Sequence, residues 1–119
     1  MSKKEKINFV PIIRDFLEAE ASKDFDRIFS FFSVKLSRFY ESYNPNYSEL
    51  RNTYNHSWAH VSTSINQIKS IAKITEYTYD LKTNSKLIYH KKGTEFTVNS
   101  TTRFVFDANG KIIEIYGID

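Results

Sequence analysis

Apolar residues recur at three- and four-residue spacing through Phe9, Ile12, Ile13, Phe16 and Leu17, which predicts a helix over about 8–21 with one apolar stripe. Asn8 stands where an N-cap is needed, and Pro11 falls in the first turn, where its missing N–H costs little. Ser22-Lys23 breaks the stripe. Asp24 can cap a second, short helix with Phe25, Ile28, Phe29 and Phe32 on its buried side, so the chain opens with an αα-hairpin. Val34, Leu36, Arg38 and Tyr40 then alternate with Lys35, Ser37, Phe39 and Glu41, which predicts a first strand. A loop rich in turn formers surrounds Pro45. Beyond it Ser48 can cap a third helix in which Leu50, Tyr54 and Trp58 stack at i, i+4 and i+8, ending near His60.

From 63 to 83 the chain is strand-like, although Ile65, Ile68, Ile71 and Ile74 are spaced by three. A regular strand cannot keep all four on one face, so a bulge or bend is expected near 70–73. Lys82-Thr-Asn-Ser85 and Lys92-Gly93 predict turns bounding a short strand over 86–91. The last quarter carries the strongest signal. Two runs rich in Val, Ile, Thr, Phe and Tyr flank Asp107-Ala-Asn-Gly110, and alternation puts Phe96, Val98, Phe104 and Phe106 on one face. The order helix, helix, strand, helix, then a strand meander predicts one α+β domain over 1–119, with 1–6 as a disordered tail. Its N-terminal helices would pack on a strongly bent antiparallel sheet and leave a cavity on the hollow side.

Composition fits that picture. Ten Phe, eight Tyr and one Trp suit a sheet packed under helices, or a cavity with aromatic walls. The absence of Cys excludes disulfides, thiol nucleophiles and thiolate metal sites. The net charge of +3 comes largely from lysines near the start and around predicted turns, where they act as solubility devices and not as a nucleic-acid patch. Arg14 and Asp15 interrupt the first apolar run, no small-residue cleavage site follows, and no stretch approaches a membrane span. A soluble cytoplasmic protein with no nucleic-acid or membrane partner is expected.

The element order, with Lys23-Asp-Phe-Asp26 between the first two helices and Phe104-Val-Phe-Asp-Ala-Asn-Gly-Lys-Ile112 near the end, resembles the nuclear-transport-factor-two-like (NTF2-like) superfamily. That superfamily has a cystatin-like cone fold and includes ketosteroid isomerase and SnoaL-type cyclases. The resemblance implies either a small-molecule binding domain or a cofactor-free isomerase, cyclase or dehydratase. Ketosteroid isomerase uses a Tyr in its first helix, a carboxylate base ending its first strand, and a protonated Asp before its last hairpin. An ungapped alignment on Asp24 and Gly110 puts Phe16, Tyr40 and Thr102 in those roles. They do not reproduce ketosteroid isomerase's machinery: Phe16 has no hydroxyl, Tyr40 is a poor base near neutral pH, and Thr102 can donate a hydrogen bond but cannot replace an acid held neutral by burial.

Other chemistry is sparse. His56 and His60 have zinc-like i, i+4 spacing, but no third ligand is visible, and each stands two positions from Trp58, roughly 200° around the helix and away from the core that Leu50, Tyr54 and Trp58 face, so no metal is expected. Asp15, Glu18 and Glu20 read as a solvated helix face, and no motif implies a cofactor. The expected ligand pocket draws on Phe16, Tyr40, Tyr54, Trp58, Thr102, Ile115 and Asp119, for an apolar or aromatic small molecule. Arg103, Val105, Ile112, Glu114, Tyr116 and Ile118 should share the opposite, convex face, whose apolar members predict a sheet-to-sheet homodimer. A third reading makes that convex face a docking surface for another protein, over a filled cavity.

Overall fold

The computed structural model describes residues 8–118. Two helices, α1 (Val10–Ala21) and α2 (Phe25–Phe29), lead into two very short strands, β1 (Arg38–Phe39) and β2 (Ser42–Tyr43). Helix α3 (Tyr47–His60) runs directly into β3 (Val61–Thr75), followed by β4 (Thr78–Tyr89), β5 (Thr94–Phe106) and β6 (Ile112–Ile118). One six-stranded sheet results, in the order β2-β1-β6-β5-β4-β3. The pairing is antiparallel except between β1 and β6, which run parallel.

The helix ends follow local chemistry. Asp24 caps α2 by accepting from the Arg27 N–H at 3.2 Å. The cap of α3 is Asn46, two residues before the expected Ser48. Asn46 accepts from the Glu49 N–H while the Glu49 carboxylate accepts from the Asn46 N–H, both at 2.9 Å, a complete capping box. The strand expected over Val34–Glu41 shrinks to Arg38–Phe39. Val34 is fully exposed, and the Ser33 and Ser37 N–H groups instead reach the β6 carbonyls of Ile112 and Ile113, both at 2.8 Å.

Isoleucines spaced by three are explained by repeated bulges. The β3–β4 register slips between Ile65 and Gln67, between Ile68 and Ser70, and between Lys73 and Thr75. Each extra residue reverses the alternation, so Ile65, Ile68 and Ile71 oppose Ser85, Thr83 and Leu81 on one face. Those slips also bend and twist an edge strand that would otherwise offer a long pairing template. The expected turn at Lys82–Ser85 does not form. The chain reverses at Glu76-Tyr77 instead, and 82–85 lies inside β4, where Thr83 and Ser85 are buried.

The concave face and the helices enclose the core. Ile13, Phe16, Phe104, Ile112 and Ile115 are almost wholly buried, and Phe16 meets Phe31, Phe32 and Phe104 edge-on at 5.6–5.8 Å. The final turn forms as expected: the Asp107 carboxylate accepts from the N–H groups of Asn109 and Lys111 at 2.9 Å, and Gly110 takes φ +80°. A register slip after Val105 turns Ile112 inward, against its expected place on the convex face. On that face Arg103 forms a bidentate pair with Asp80 at 2.8 and 2.9 Å, and Arg38 stacks on Tyr116 at 4.1 Å.

Candidate functional site

A cavity of about 560 Å³ opens between α1, α3, the β1–β2 turn and the start of β3. Leu17, Tyr54, Trp58 and Ile65 give it apolar and aromatic walls, and Glu20 and Tyr40 bring polar groups to it. Its size and lining match those of small-molecule sites.

Glu20 is there because of helical spacing. Ile13, Phe16 and Glu20 stand at i, i+3 and i+7, so the carboxyl extends the stripe that the two apolar residues bury in the core. The solvated face expected for Asp15, Glu18 and Glu20 is correct for the first two alone. Asp15 is exposed, and Glu18 pairs with Arg27 at the surface at 3.2 Å. Glu20 is half-buried, and its Oε2 accepts from the Tyr54 hydroxyl at 2.6 Å. Burial pushes the Glu20 carboxyl up to about 7, against the opposing pull of the Tyr54 hydrogen bond. It therefore holds its proton for about half the time near neutral pH.

The two tyrosines are kept neutral. Tyr54 packs against Phe39 at 5.4 Å and Trp58 at 5.4 Å, and burial, then the Glu20 charge, raises its hydroxyl well above the ordinary range. Tyr40 leaves 38% of its surface exposed, yet its hydroxyl is withdrawn from water. Burial and the Glu20 charge raise that group as well, while the Thr102 side chain, which meets the hydroxyl, opposes the rise. Tyr40 also has φ 54°, a left-handed conformation unusual for a bulky residue. Its N–H donates to the Ile115 carbonyl at 2.7 Å and its carbonyl accepts from Arg38 Nε at 2.9 Å, which hold the strained turn.

Of the expected pocket residues, Tyr40, Tyr54 and Trp58 line the cavity; Thr102 does not, and meets the Tyr40 hydroxyl from behind the wall. Phe16 and Ile115 do not line it. They are closed into the core, where neighbouring aromatic rings and β5 cover them. Asp119 lies outside the described residues. His56 and His60 are exposed and stack on each other at 4.2 Å, with His60 Nδ1 bonded to the His56 carbonyl oxygen at 2.7 Å. Among the described residues no three His, Asp or Glu side chains converge in a way that could hold a metal ion, and no helix is long and apolar enough to cross a membrane.

No protein-family model matches the chain, and neither does any curated protein sequence. Solved structures do. An NTF2-like protein from Burkholderia pseudomallei superposes with a TM-score of 0.81 at 11% identity, covering 94% of this chain and 90% of its own. A candidate polyketide cyclase from Xanthomonas campestris gives 0.77 at 11% identity, over 92% and 87%. An epoxide hydrolase of the LEH-like kind from M. tuberculosis gives 0.70 at 16% identity, over 92% and 82%. The chain has the NTF2-like cone fold.

Proposed function

We propose that this NTF2-like domain binds a small apolar or aromatic molecule in its cavity and moves a proton on it, with Glu20 as acid or base and no cofactor. The supporting observation is the Glu20 carboxyl in the wall of an open, aromatic-lined cavity, bonded to Tyr54 at 2.6 Å. A carboxyl poised near 7 serves either direction of proton transfer. Tyr40, neutral and held by its strained backbone, is positioned to donate to an oxygen on the bound molecule. Isomerisation, cyclisation and dehydration all fit this arrangement. Binding without chemistry is the second reading, favoured by the preponderance of apolar wall. A filled-core interaction module fits poorly with a void of about 560 Å³.

Exchange of the α-protons of 2-tetralone for deuterium in D₂O, followed by NMR, tests the proposal. The wild-type protein should accelerate exchange, with a rate that rises as pH passes 7 and Glu20 ionises. Glu20→Gln should lose at least about a hundredfold of that rate. Equal rates for both proteins would remove Glu20 from the chemistry, and saturable binding without exchange would leave the binding reading alone.

A homodimer through the convex face belongs to the same proposal. Val105, Tyr116 and Ile118 remain half-buried there, beside the Arg103–Asp80 pair. Light scattering should give twice the 14.0 kDa chain mass, and Tyr116→Asp should shift it toward the monomer. A monomer at every concentration would sink the dimer.

A further inference from the structure

The cavity does not end at β3. Val61, Thr63 and Ile65 line it, and in the β3–β4 register they oppose Tyr89, Leu87 and Ser85. Those three in turn oppose Thr94, Phe96 and Val98 on β5. Residues directly opposite in a ladder point to the same face, so the cavity wall runs without interruption onto a concave shelf carrying Leu87, Tyr89, Phe96 and Val98. The shelf reaches two strand spacings beyond β3, about 10 Å.

This shelf is apolar and open to solvent. Ile65, Tyr89 and Phe96 are 39%, 43% and 49% exposed, and the Tyr89 and Phe96 rings already meet edge-on at 5.7 Å. The same stretch is mostly polar on its other side, where Ile88, between Ser62 and Glu95, is the one large apolar residue. There Ser62, Ser64, Thr97 and Asn99 face outward, Lys86 pairs with Glu95 at 3.8 Å, and Asn84 bridges Asn66 and Asn99 at 3.1 and 3.0 Å. A strand end facing water on both sides would be polar on both. The side continuous with the cavity instead gathers Leu87, Tyr89, Phe96 and Val98, with Ser85 and Thr94 between them.

We infer that the ligand is longer than the cavity: an elongated apolar molecule whose polar end lies at Glu20 and Tyr54 and whose far end lies along Leu87, Tyr89 and Phe96. This rests on the cavity being a small-molecule site. Continuity with the cavity identifies the occupant: a molecule leaving the cavity past Ile65 meets the shelf before it meets water.

A series of 4-n-alkylphenols from ethyl to octyl, titrated against the fluorescence of Trp58, the chain's one tryptophan, tests it. In the wild-type protein affinity should tighten about threefold to fourfold per methylene through octyl. In the double variant Tyr89→Ser, Phe96→Ser, ethylphenol should bind as before, while octylphenol should lose about tenfold or more. Both changes are at exposed positions, and an unchanged melting curve would show that the variant folds. A wild-type series that stops tightening at butyl, or a double variant that follows the wild type throughout, would overturn the inference and leave the cavity reading standing. So would a double variant that loses only self-association, since a second copy would then be what covers the shelf. Failure of even ethylphenol to bind would remove the cavity reading, and the inference with it.

Discussion

Glu20→Gln is expected to stabilise the protein at pH 8 by about 2–3 kcal/mol and to leave it unchanged below pH 4. The folded carboxyl sits at about 7, above the unfolded value of 4.5, because burial disfavours its charge. A group shifted in this direction binds its proton more tightly in the native state. Its contribution is therefore complete below 4.5 and is lost as pH rises through 7. Above that range the wild-type protein must hold a charge in a poorly solvated wall, a cost that Gln lacks. Gln also keeps an oxygen to accept from Tyr54, so the 2.6 Å hydrogen bond has a counterpart in the variant. Chemical denaturation of both proteins from pH 4 to 9 would give two curves that coincide in acid and separate between 5 and 8. Coincidence at pH 8.5 would show the carboxyl to be solvated, which would also withdraw it as a proton carrier. Stability gained at the expense of proton transfer is the trade-off expected of a functional buried acid.

How much of this was legible depends on the scale at which each signal acts. The last hairpin is written locally, in alternation and an Asn-Gly turn, and Phe104, Phe106 and Ile115 pack as alternation requires. Ile65, Ile68 and Ile71 announced that β3 could not be regular, and bulges resolve the conflict, though two lie earlier than the run near 70–73. The reversal at Glu76-Tyr77 had no Gly or Pro to mark it. Lys82-Thr-Asn-Ser85 looked like a turn because its residue types favour turns. Pairing on both sides, with β3 and β5, outweighs that preference in a central strand. Tyr40 and Thr102 come together from distant segments, a contact that no local pattern records, while Phe16, aligned with them, is closed into the core. Glu20 was hidden by its chemistry: a carboxylate in an amphipathic helix reads as solvent-facing. Only its i+4 relation to Phe16 and i+7 relation to Ile13 pointed inward, and what makes a buried carboxyl tolerable there is Tyr54, thirty-four residues away.

Phe16→Ala is expected to cost about 3–5 kcal/mol, the largest loss of any substitution on this helix face. Phe16 is wholly buried, and Phe31, Phe32 and Phe104 present their edges to it at 5.6, 5.7 and 5.8 Å, so truncation removes three oriented ring contacts and leaves a void that none of the three can fill without turning away. Against a total stability of about 5–15 kcal/mol for a domain of this size, the variant would be largely unfolded at modest urea. A cavity-wall Phe16 would behave differently. Its truncation would enlarge an existing void, cost about 1–2 kcal/mol and admit bulkier ligands. Urea unfolding with an unchanged slope and a loss below about 2 kcal/mol would move Phe16 from the core to the cavity. Phe16→Ala and Glu20→Gln thus have opposite expected signs at positions one helical turn apart, because α1 passes from packed core to open site within that turn. If Glu20→Gln also proved destabilising at pH 8, the ionised carboxyl would have to be better solvated or hydrogen-bonded than its amide, and Glu20 would no longer be a poised acid.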